Sequence, residues 1–210
     1  MRQKTVGLVD YGSGNLRSVR KALEICGARV RIVNHPDEFA NPVWEILAVP
    51  GVSSFGDCAE SLHRTGLWKP ILQWLHEGHP YLGICLGYQL LFESSEESPD
   101  IPGFGILAGR VVRFRDDKLK VPHMGWNQLI VHQPALFNGL SSPINVYFVH
   151  SYYPVPENED VITSTCEYGS VRFASSIALG NIVGTQFHPE KSQSTGLQFL
   201  TNFLRTSPKR

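Results

Sequence analysis

The order of apolar and polar positions divides the chain into two parts of different character. In the first part, short apolar runs alternate with longer segments in which apolar residues recur with helical spacing. The predicted strands are 5–9, 29–33, 46–49 and 81–84, and the predicted helices are 16–26, 57–64, 69–77 and 86–92. Such alternation predicts an α/β fold with a mostly parallel central sheet that is flanked by helices.

The second part consists mainly of short strand candidates separated by turns. The predicted strands are 106–114, 129–131, 146–149, 161–166, 177–179 and 182–187, and the last predicted element is a helix at 195–204. This pattern is typical of an antiparallel, strand-rich section added to the sheet. No linker, low-complexity tract or repeat divides the chain, so we expect residues 1–210 to form a single domain.

Composition narrows the class of protein. Lys plus Arg and Asp plus Glu both number 19, so the net charge is +0, which argues against a nucleic-acid-binding field or a polybasic membrane surface. No apolar run approaches the roughly 20 residues that span a bilayer, and the first residues lack a signal-peptide core. Four sparse cysteines predict reduced thiols in a cytoplasmic protein and favour neither a disulfide framework nor a metal site.

The most informative stretch is Gly83-Ile-Cys-Leu-Gly87, which lies between a predicted strand and a predicted helix. It is the cysteine version of a nucleophile elbow, in which flanking glycines allow a sharp strand-to-helix turn. Cys85 would then lie at a helix N-terminus, where peptide dipoles favour the thiolate, and the N–H of Leu86 could receive an oxyanion. The alternative for a single cysteine in an apolar run is a small buried hydrophobic residue.

A second stretch, Gln186-Phe-His-Pro-Glu190, supplies the groups that a cysteine nucleophile needs. Pro189 favours extended backbone at His188, and residues two apart in extended chain face the same way. Glu190 can therefore orient and charge the imidazole of His188, although a surface carboxylate is the alternative. A lone H-x-E pattern without a second histidine is a poor zinc site.

Three further stretches leave alternatives open. The turn at 12–15 does not match a dinucleotide-binding fingerprint, because Arg17 replaces the third glycine. The turn at 50–52 either donates an N–H to the oxyanion or is a plain strand-to-helix connection. In the 122–127 stretch, Met124 and Trp126 either pack in the core, which is slightly favoured, or face a partner or a pocket. His150 or Ser151 could reach a pocket, but a structural histidine is commoner.

Together the G-I-C-L-G and Q-F-H-P-E stretches resemble the class-I, triad-type glutamine amidotransferases, which have a flavodoxin-like sheet. The acid lies two residues after the histidine, whereas in α/β-hydrolases it comes well before it. Over nearly all of the chain, the sequence resembles one subfamily in particular, the glutaminase subunits of imidazole glycerol phosphate synthase. The stretches that carry this narrower resemblance are 10–18, 50–52, 122–127, 147–152 and 187–191.

The resemblance implies a role for each matching position. It implies Cys85 as nucleophile, His188 as acid/base with Glu190 as its partner, Gly51, Val52 and Leu86 around the oxyanion, Gln89, Ser151 and Tyr152 against the substrate, and Asn15, Trp126, Tyr147 and Lys191 toward the partner. Ser53 departs from the family, because many relatives have glycine there.

The resemblance also implies the reaction and the partner. L-glutamine would be hydrolysed to L-glutamate and ammonia without a metal or organic cofactor, and the ammonia would pass to a (β/α)-barrel cyclase subunit in a heterodimer. Two rival functions are another cysteine hydrolase on a similar sheet and a non-catalytic binding subunit. Gln89 and the order of His188 and Glu190 argue against the first, and the complete triad argues against the second.

Overall fold

The computed structural model describes residues 3–12, 15–116 and 118–206, and a nine-stranded mixed sheet forms the centre of this part of the chain. Ser13 and Gly14, within the turn that fails as a dinucleotide fingerprint, lie outside the described residues.

The bounds of the elements follow the sequence prediction closely in the first half and less closely in the second. The strands are β1 Thr5–Val9, β2 Arg29–Val33, β3 Ile46–Gly51, β4 Tyr81–Cys85, β5 Phe92–Ser95, β6 Leu107–Arg113, β7 His123–Val131, β8 Ile144–His150, β9 Tyr152–Pro156, β10 Ile162–Tyr168, β11 Val171–Leu179 and β12 Ile182–Thr185. The α-helices are α1 Leu16–Ile25, α2 Phe55–Arg64, α3 Trp68–His76, α4 Leu86–Gln89 and α5 Gln193–Thr206.

The central sheet has the strand order β2-β1-β3-β4-β12-β11-β10-β7-β8. The strands from β2 to β12 in this order pair in parallel, and the remaining pairs are antiparallel. The predicted parallel sheet with an antiparallel extension is therefore confirmed. It places the carboxyl ends of β3, β4 and β12 side by side, which is where an open α/β sheet builds its sites.

Helices cover both faces of this sheet, and β3 shows why its sequence is continuously apolar. Ile46 and Ala48 pack into one core with α1 and α5, whereas Leu47 and Val49 pack into a second core with α2 and α3. Because successive side chains point to opposite faces, a strand that is covered on both faces needs apolar residues at every position.

The predicted helix at 86–92 is wrong beyond residue 89. The carbonyl oxygens of residues 90–92 accept hydrogen bonds from the backbone of residues 104–107, so the helix cannot continue and the chain enters β5. β5, β6 and β9 form a separate three-stranded sheet. Part of the strand-rich section thus forms a second sheet instead of extending the first.

Two other strand predictions differ from the structure. β7 begins at His123, six residues before the predicted 129–131, because the segment from His123 to Leu129 pairs with the whole of β8. The predicted continuous alternation from Tyr147 to Tyr152 is interrupted at Ser151, where the chain leaves the central sheet and enters the smaller one. Within the described residues, no helix has both the length and the apolar character to cross a membrane.

Candidate active site

Cys85 lies at the junction of β4 and α4 in a backbone conformation that non-glycine residues rarely adopt, with φ 55° and ψ −102°. The flanking glycines allow the turn by close backbone contact. A Cβ atom on Gly87 would lie 1.8 Å from the carbonyl oxygen of Val49, and one on Gly83 would lie 2.4 Å from that of Gly87. The nucleophile-elbow prediction is correct in geometry, but α4 is a single turn, so its dipole is weaker than a full helix would supply.

His188 and Glu190 meet just beyond β12. The Nδ1 atom of His188 donates to Oε1 of Glu190 at 2.8 Å, and their side chains are 1% and 0% exposed. His188 is extended, as expected before a proline, but Glu190 lies in the 3₁₀ turn Pro189–Lys191. The two side chains therefore come together by a turn and not by the extended alternation that the sequence suggested.

The pKa of the His188 imidazole lies well above its ordinary value. Burial lowers the pKa of His188, but the adjacent Cys85 sulfur and the hydrogen-bonded Glu190 carboxylate outweigh burial and raise it to about 10. Nε2 of His188 is buried and has no hydrogen-bond partner within the described part of the chain. The ring is thus held by the carboxylate at Nδ1 and interacts electrostatically with the Cys85 sulfur, which favours the imidazolium form of His188.

Strand register brings the other predicted residues to this point. Gly51 of β3 is the register partner of Cys85, and Ile84 of β4 is the register partner of Thr185 in β12. A cavity of about 370 Å³ lies beside the sulfur. The predicted site residues that line it are Val52, Cys85, Leu86, Gln89, Ser151, Tyr152, His188 and Lys191.

The turn after β3 is packed tightly against the elbow. A Cβ atom on Gly51 would lie 2.6 Å from both Leu86 Cβ and the Tyr11 hydroxyl. That hydroxyl donates to the carbonyl oxygen of Pro50 at 2.7 Å. Ser53, the departure from the family pattern, also lines the cavity. Tyr11 and Leu86 therefore hold the turn in place beside the cavity, and its role as an oxyanion donor stays a prediction.

Two residues near Cys85 received no role from the sequence, one lining the cavity and one in contact with the sulfur. Glu97 lines the cavity, and its Oε2 accepts the backbone N–H of Phe55 at 2.8 Å. The pKa of Glu97 is raised, mainly by burial and also by the Asp57 charge, although the hydrogen bond from the Phe55 N–H opposes the shift. Gln186 donates from Nε2 to the Cys85 sulfur at 3.5 Å. Sequence reasoning missed Glu97 because it follows a segment predicted as helix, and Gln186 because a single amide in a strand carries no distinct signal.

The residues that the resemblance places toward a partner differ in their surroundings. Asn15 contacts the candidate catalytic residues, because its Nδ2 donates to Oε1 of Glu190. Trp126 is 48% exposed and makes an edge contact with Tyr147, whose ring lies 5.8 Å from the Lys191 ammonium. Met124 is 62% exposed. The prediction that Met124 and Trp126 pack in the core is therefore wrong. The buried side chains of β7 are those of His123 and Leu129.

His150 is 5% exposed, lines the cavity and hydrogen-bonds to His123, so it is both a pocket residue and a satisfied buried histidine. Within residues 3–12, 15–116 and 118–206, no group of three or more His, Cys, Asp or Glu side chains is arranged to hold a metal ion.

The geometry agrees with the similarity of the chain to known proteins. The model of the family "Glutamine amidotransferase class-I" matches residues 7–206. Imidazole glycerol phosphate synthase subunit HisH of Syntrophotalea carbinolica is 48% identical over 203 residues, covering 93% of this chain and 97% of the relative. The HisH subunit of Aquifex aeolicus is 46% identical over 203 residues, covering 96% and 97%.

Solved structures support the fold. PurLQS from Thermotoga maritima has a TM-score of 0.75 at 22% identity, covering 97% of this chain and 99% of that chain. A putative GMP synthase protein from Thermoplasma acidophilum has a TM-score of 0.71 at 21% identity, covering 98% and 94%. At these identities the likeness concerns the fold alone.

Proposed function

This chain belongs to the class-I glutamine amidotransferase family and is a glutaminase subunit of the HisH type, and we propose that Cys85, His188 and Glu190 perform its reaction. One observation carries the assignment of residues. Cys85 and Gln89 of the β4–α4 segment line one cavity together with His188, which follows β12 far along the chain, and Nδ1 of His188 lies 2.8 Å from Oε1 of Glu190.

In the first step, the Cys85 thiolate attacks the side-chain amide carbon of L-glutamine and a C–S bond forms. The electron pair of the C=O bond moves to oxygen, giving a tetrahedral oxyanion. Leu86 and Val52 line the same cavity as the sulfur, so the N–H of Leu86 and an N–H of the Gly51–Val52 turn would stabilise this charge. A donor in such a position contributes about 3 kcal/mol to the transition state.

In the second step, Nε2–H of His188 protonates the amide nitrogen. The C–N bond then breaks, ammonia leaves and a thioester remains on Cys85. Amide ion is too basic to leave without this proton, which is why a charged imidazole beside the sulfur matters. Water then attacks the thioester with Nε2 of His188 as base, glutamate departs, and the thiolate–imidazolium pair is restored.

The polar groups around the cavity match an amino-acid substrate. Oε1 of Gln89 is buried and has no hydrogen-bond partner within the described residues, so it can accept a substrate N–H. The Glu97 carboxylate has the charge to bind the α-ammonium group, and we expect the backbone of Ser151 and Tyr152, which also line the cavity, to contact the substrate.

The partner we propose is a (β/α)-barrel cyclase subunit that uses the ammonia to make imidazole glycerol phosphate in histidine biosynthesis. Met124 and Trp126 are exposed two residues apart on β7, and Val52 is exposed at the cavity itself; we call these three residues the apolar face. Exposed aromatic and methionine side chains are enriched at protein interfaces. Docking of the cyclase on this face would lead ammonia from the cavity into the partner without release to solvent.

The experiment that tests the function measures glutamate release by the chain mixed with a barrel cyclase and its nucleotide ligand. We expect glutamine hydrolysis in the complex and its loss by at least about 10³-fold in Cys85→Ala. The matched control is Cys26→Ser, which retains a donor to the Leu197 carbonyl oxygen and should keep the full rate. A Cys85→Ala complex with the unaltered rate would contradict the assignment.

A further inference from the structure

Two buried histidines beside the cavity have no part in the reaction described above. His123 on β7 and His150 on β8 are register partners and are 3% and 5% exposed. Nδ1 of His123 lies 3.1 Å from Nε2 of His150. Buried imidazole pairs at hydrogen-bond distance impose a specific proton arrangement, because one nitrogen must donate and the other must accept.

The hydrogen-bond partners determine that arrangement completely. Nδ1 of His150 lies 2.8 Å from the carbonyl oxygen of Tyr152, which can only accept, so the proton of neutral His150 is on Nδ1. Nε2 of His150 therefore accepts, and Nδ1 of His123 donates to it. Nε2 of His123 is then an acceptor, and it lies 3.2 Å from the Nδ2 donor of Asn127. Each bond sets the direction of the next.

The charge state agrees with this directional chain. Burial lowers the pKa of His123 to about 4. Burial also lowers the pKa of His150, to about 3, with the Tyr152 carbonyl opposing and the His123 and His188 charges adding to the effect. Both rings are neutral near pH 7. A second proton on either ring would place two N–H groups face to face.

The far end of the chain of hydrogen bonds is the catalytic cavity. The Tyr152 carbonyl oxygen also accepts Nε2 of Gln89 at 3.1 Å, and the same Nε2 donates to Oε1 of Gln186 at 3.0 Å. Both amide hydrogens of Gln89 are thereby used, which leaves its Oε1 for the substrate. Because Oε1 of Gln186 is an acceptor, its Nε2 donor is the atom that faces the Cys85 sulfur at 3.5 Å.

We propose that His123 and His150 are positioning residues for the glutaminase reaction. Their pair of Nδ1–H tautomers holds the Tyr152 carbonyl in place, and that carbonyl fixes the amide orientations of Gln89 and Gln186. The result is an oxygen presented to the substrate and an N–H presented to the sulfur. This inference rests on the proposed function.

Aromatic packing alone is the competing explanation, because His123 stacks on Tyr168 and Phe148 with centroid distances of 4.1 and 4.7 Å. Packing requires a planar or bulky side chain at 123 and 150 but no particular N–H. The two explanations therefore differ in what happens when the hydrogen-bond donor is removed and the size is kept.

Two substitutions make this comparison at residue 150, because leucine keeps a volume close to that of histidine without a donor, whereas asparagine is smaller and keeps a donor. The amide Nδ2 of His150→Asn branches from Cγ as Nδ1 of histidine does, so it can still donate to the Tyr152 carbonyl, whereas His150→Leu cannot. In the complex with the cyclase and its ligand, we expect KM for glutamine to rise about tenfold in His150→Leu, which corresponds to one lost hydrogen bond. His150→Asn should remain within about threefold of the original chain.

The outcomes separate the possible errors. If His150→Leu keeps the original KM and loses rate only in proportion to its folded fraction, the positioning role is wrong and packing suffices. Equal KM changes in His150→Leu and His150→Asn would overturn it as well. If the unaltered complex releases no glutamate, the proposed function fails, whatever the variants show.

A second measurement needs no variant and no activity. Nuclear magnetic resonance of the chain with ¹⁵N-labelled histidine reports which ring nitrogen carries the proton. We expect two neutral Nδ1–H rings that do not titrate between about pH 6 and 8. An Nε2–H tautomer at either His123 or His150, or protonation within that range, would overturn the inference.

Discussion

The amide of Asn15 donates to Oε1 of Glu190, the same oxygen atom that accepts the hydrogen bond from Nδ1 of His188. The segment after β1 therefore reaches the carboxylate oxygen that holds the imidazole. By resemblance, Asn15 was expected to lie toward the partner. Its position makes it a support for the carboxylate that orients His188.

Removal of the Asn15 side chain should reduce catalysis without weakening substrate binding. Asn15 has φ 77°, so glycine is the substitution that removes the amide without straining the backbone. A hydrogen bond to a charged group is worth roughly 1.5–3 kcal/mol, so we expect Asn15→Gly to lower kcat by about 10- to 100-fold with little change in KM. Steady-state glutamate release at a saturating concentration of the cyclase measures kcat and KM of this variant.

Calorimetric titration of the cyclase into Asn15→Gly provides the control. If kcat at saturation is normal and only the affinity for the cyclase falls, Asn15 is a partner contact and not a support for Glu190.

Glu190→Gln should move the alkaline limit of activity to lower pH. Burial lowers the pKa of His188, but Cys85 and Glu190 together raise it to about 10, so the imidazolium is retained far above its ordinary range. Without the carboxylate this pKa falls, and the proton needed by the leaving ammonia is lost earlier. We expect the alkaline limb of kcat/KM to shift down by about one unit or more.

The same pKa predicts how stability depends on pH. Because the folded value lies above the ordinary 6.5, this interaction contributes fully below pH 6.5 and is lost as pH rises through about 10. Glu190→Gln should weaken that dependence in urea unfolding at several pH values. An alkaline limb and a stability profile identical to those of the original chain would refute the role of Glu190.

Glu97→Gln should weaken substrate binding more than it slows the chemical step. The substitution keeps an acceptor for the Phe55 N–H but removes the negative charge beside the cavity. Since the α-ammonium group of glutamine carries a full positive charge, we expect KM to rise about tenfold or more and kcat to change less than about threefold. Equal loss in kcat with unchanged KM would show that Glu97 does not contact the substrate.

Trp126→Ala should weaken association with the cyclase. A partly exposed tryptophan that rests on Tyr147 is the type of residue that dominates binding energy, and its truncation typically costs about 2 kcal/mol or more, a roughly 30-fold rise in Kd. Val43→Ala is the control, because Val43 is 69% exposed but lies outside the apolar face. Similar Kd values for the two variants would place the partner elsewhere.

Gly87→Ala should disrupt the elbow. Its Cβ atom would lie 1.8 Å from a backbone oxygen, which cannot rotate away, so we expect a loss of about 3 kcal/mol in the free energy of unfolding and loss of glutaminase activity. Gly180→Asn is the control, since Gly180 has φ 57° and open space around it. Chemical denaturation of both variants makes the comparison, and a fully stable, active Gly87→Ala would contradict the close approach.

The sequence by itself determined the features that depend on local conformation. Apolar runs and helical periodicity predicted β1 to β4 and the helices between them, because a strand covered on both faces, such as β3, must be apolar throughout. The glycines at 83 and 87 predicted the turn at Cys85, since only glycine permits that backbone approach. Pro189 predicted the extended conformation of His188.

Only the tertiary structure decided which distant groups meet. Backbone hydrogen bonds from residues 104–107 ended α4 at Gln89 and placed Glu97 at the cavity. Pairing along all of β8 extended β7 and left Trp126 exposed on its surface. Asn15 reaches Glu190 across a separation of 175 residues. Such contacts depend on how the whole core packs, because local preferences act over a few residues and carry no information about atoms that approach through folding.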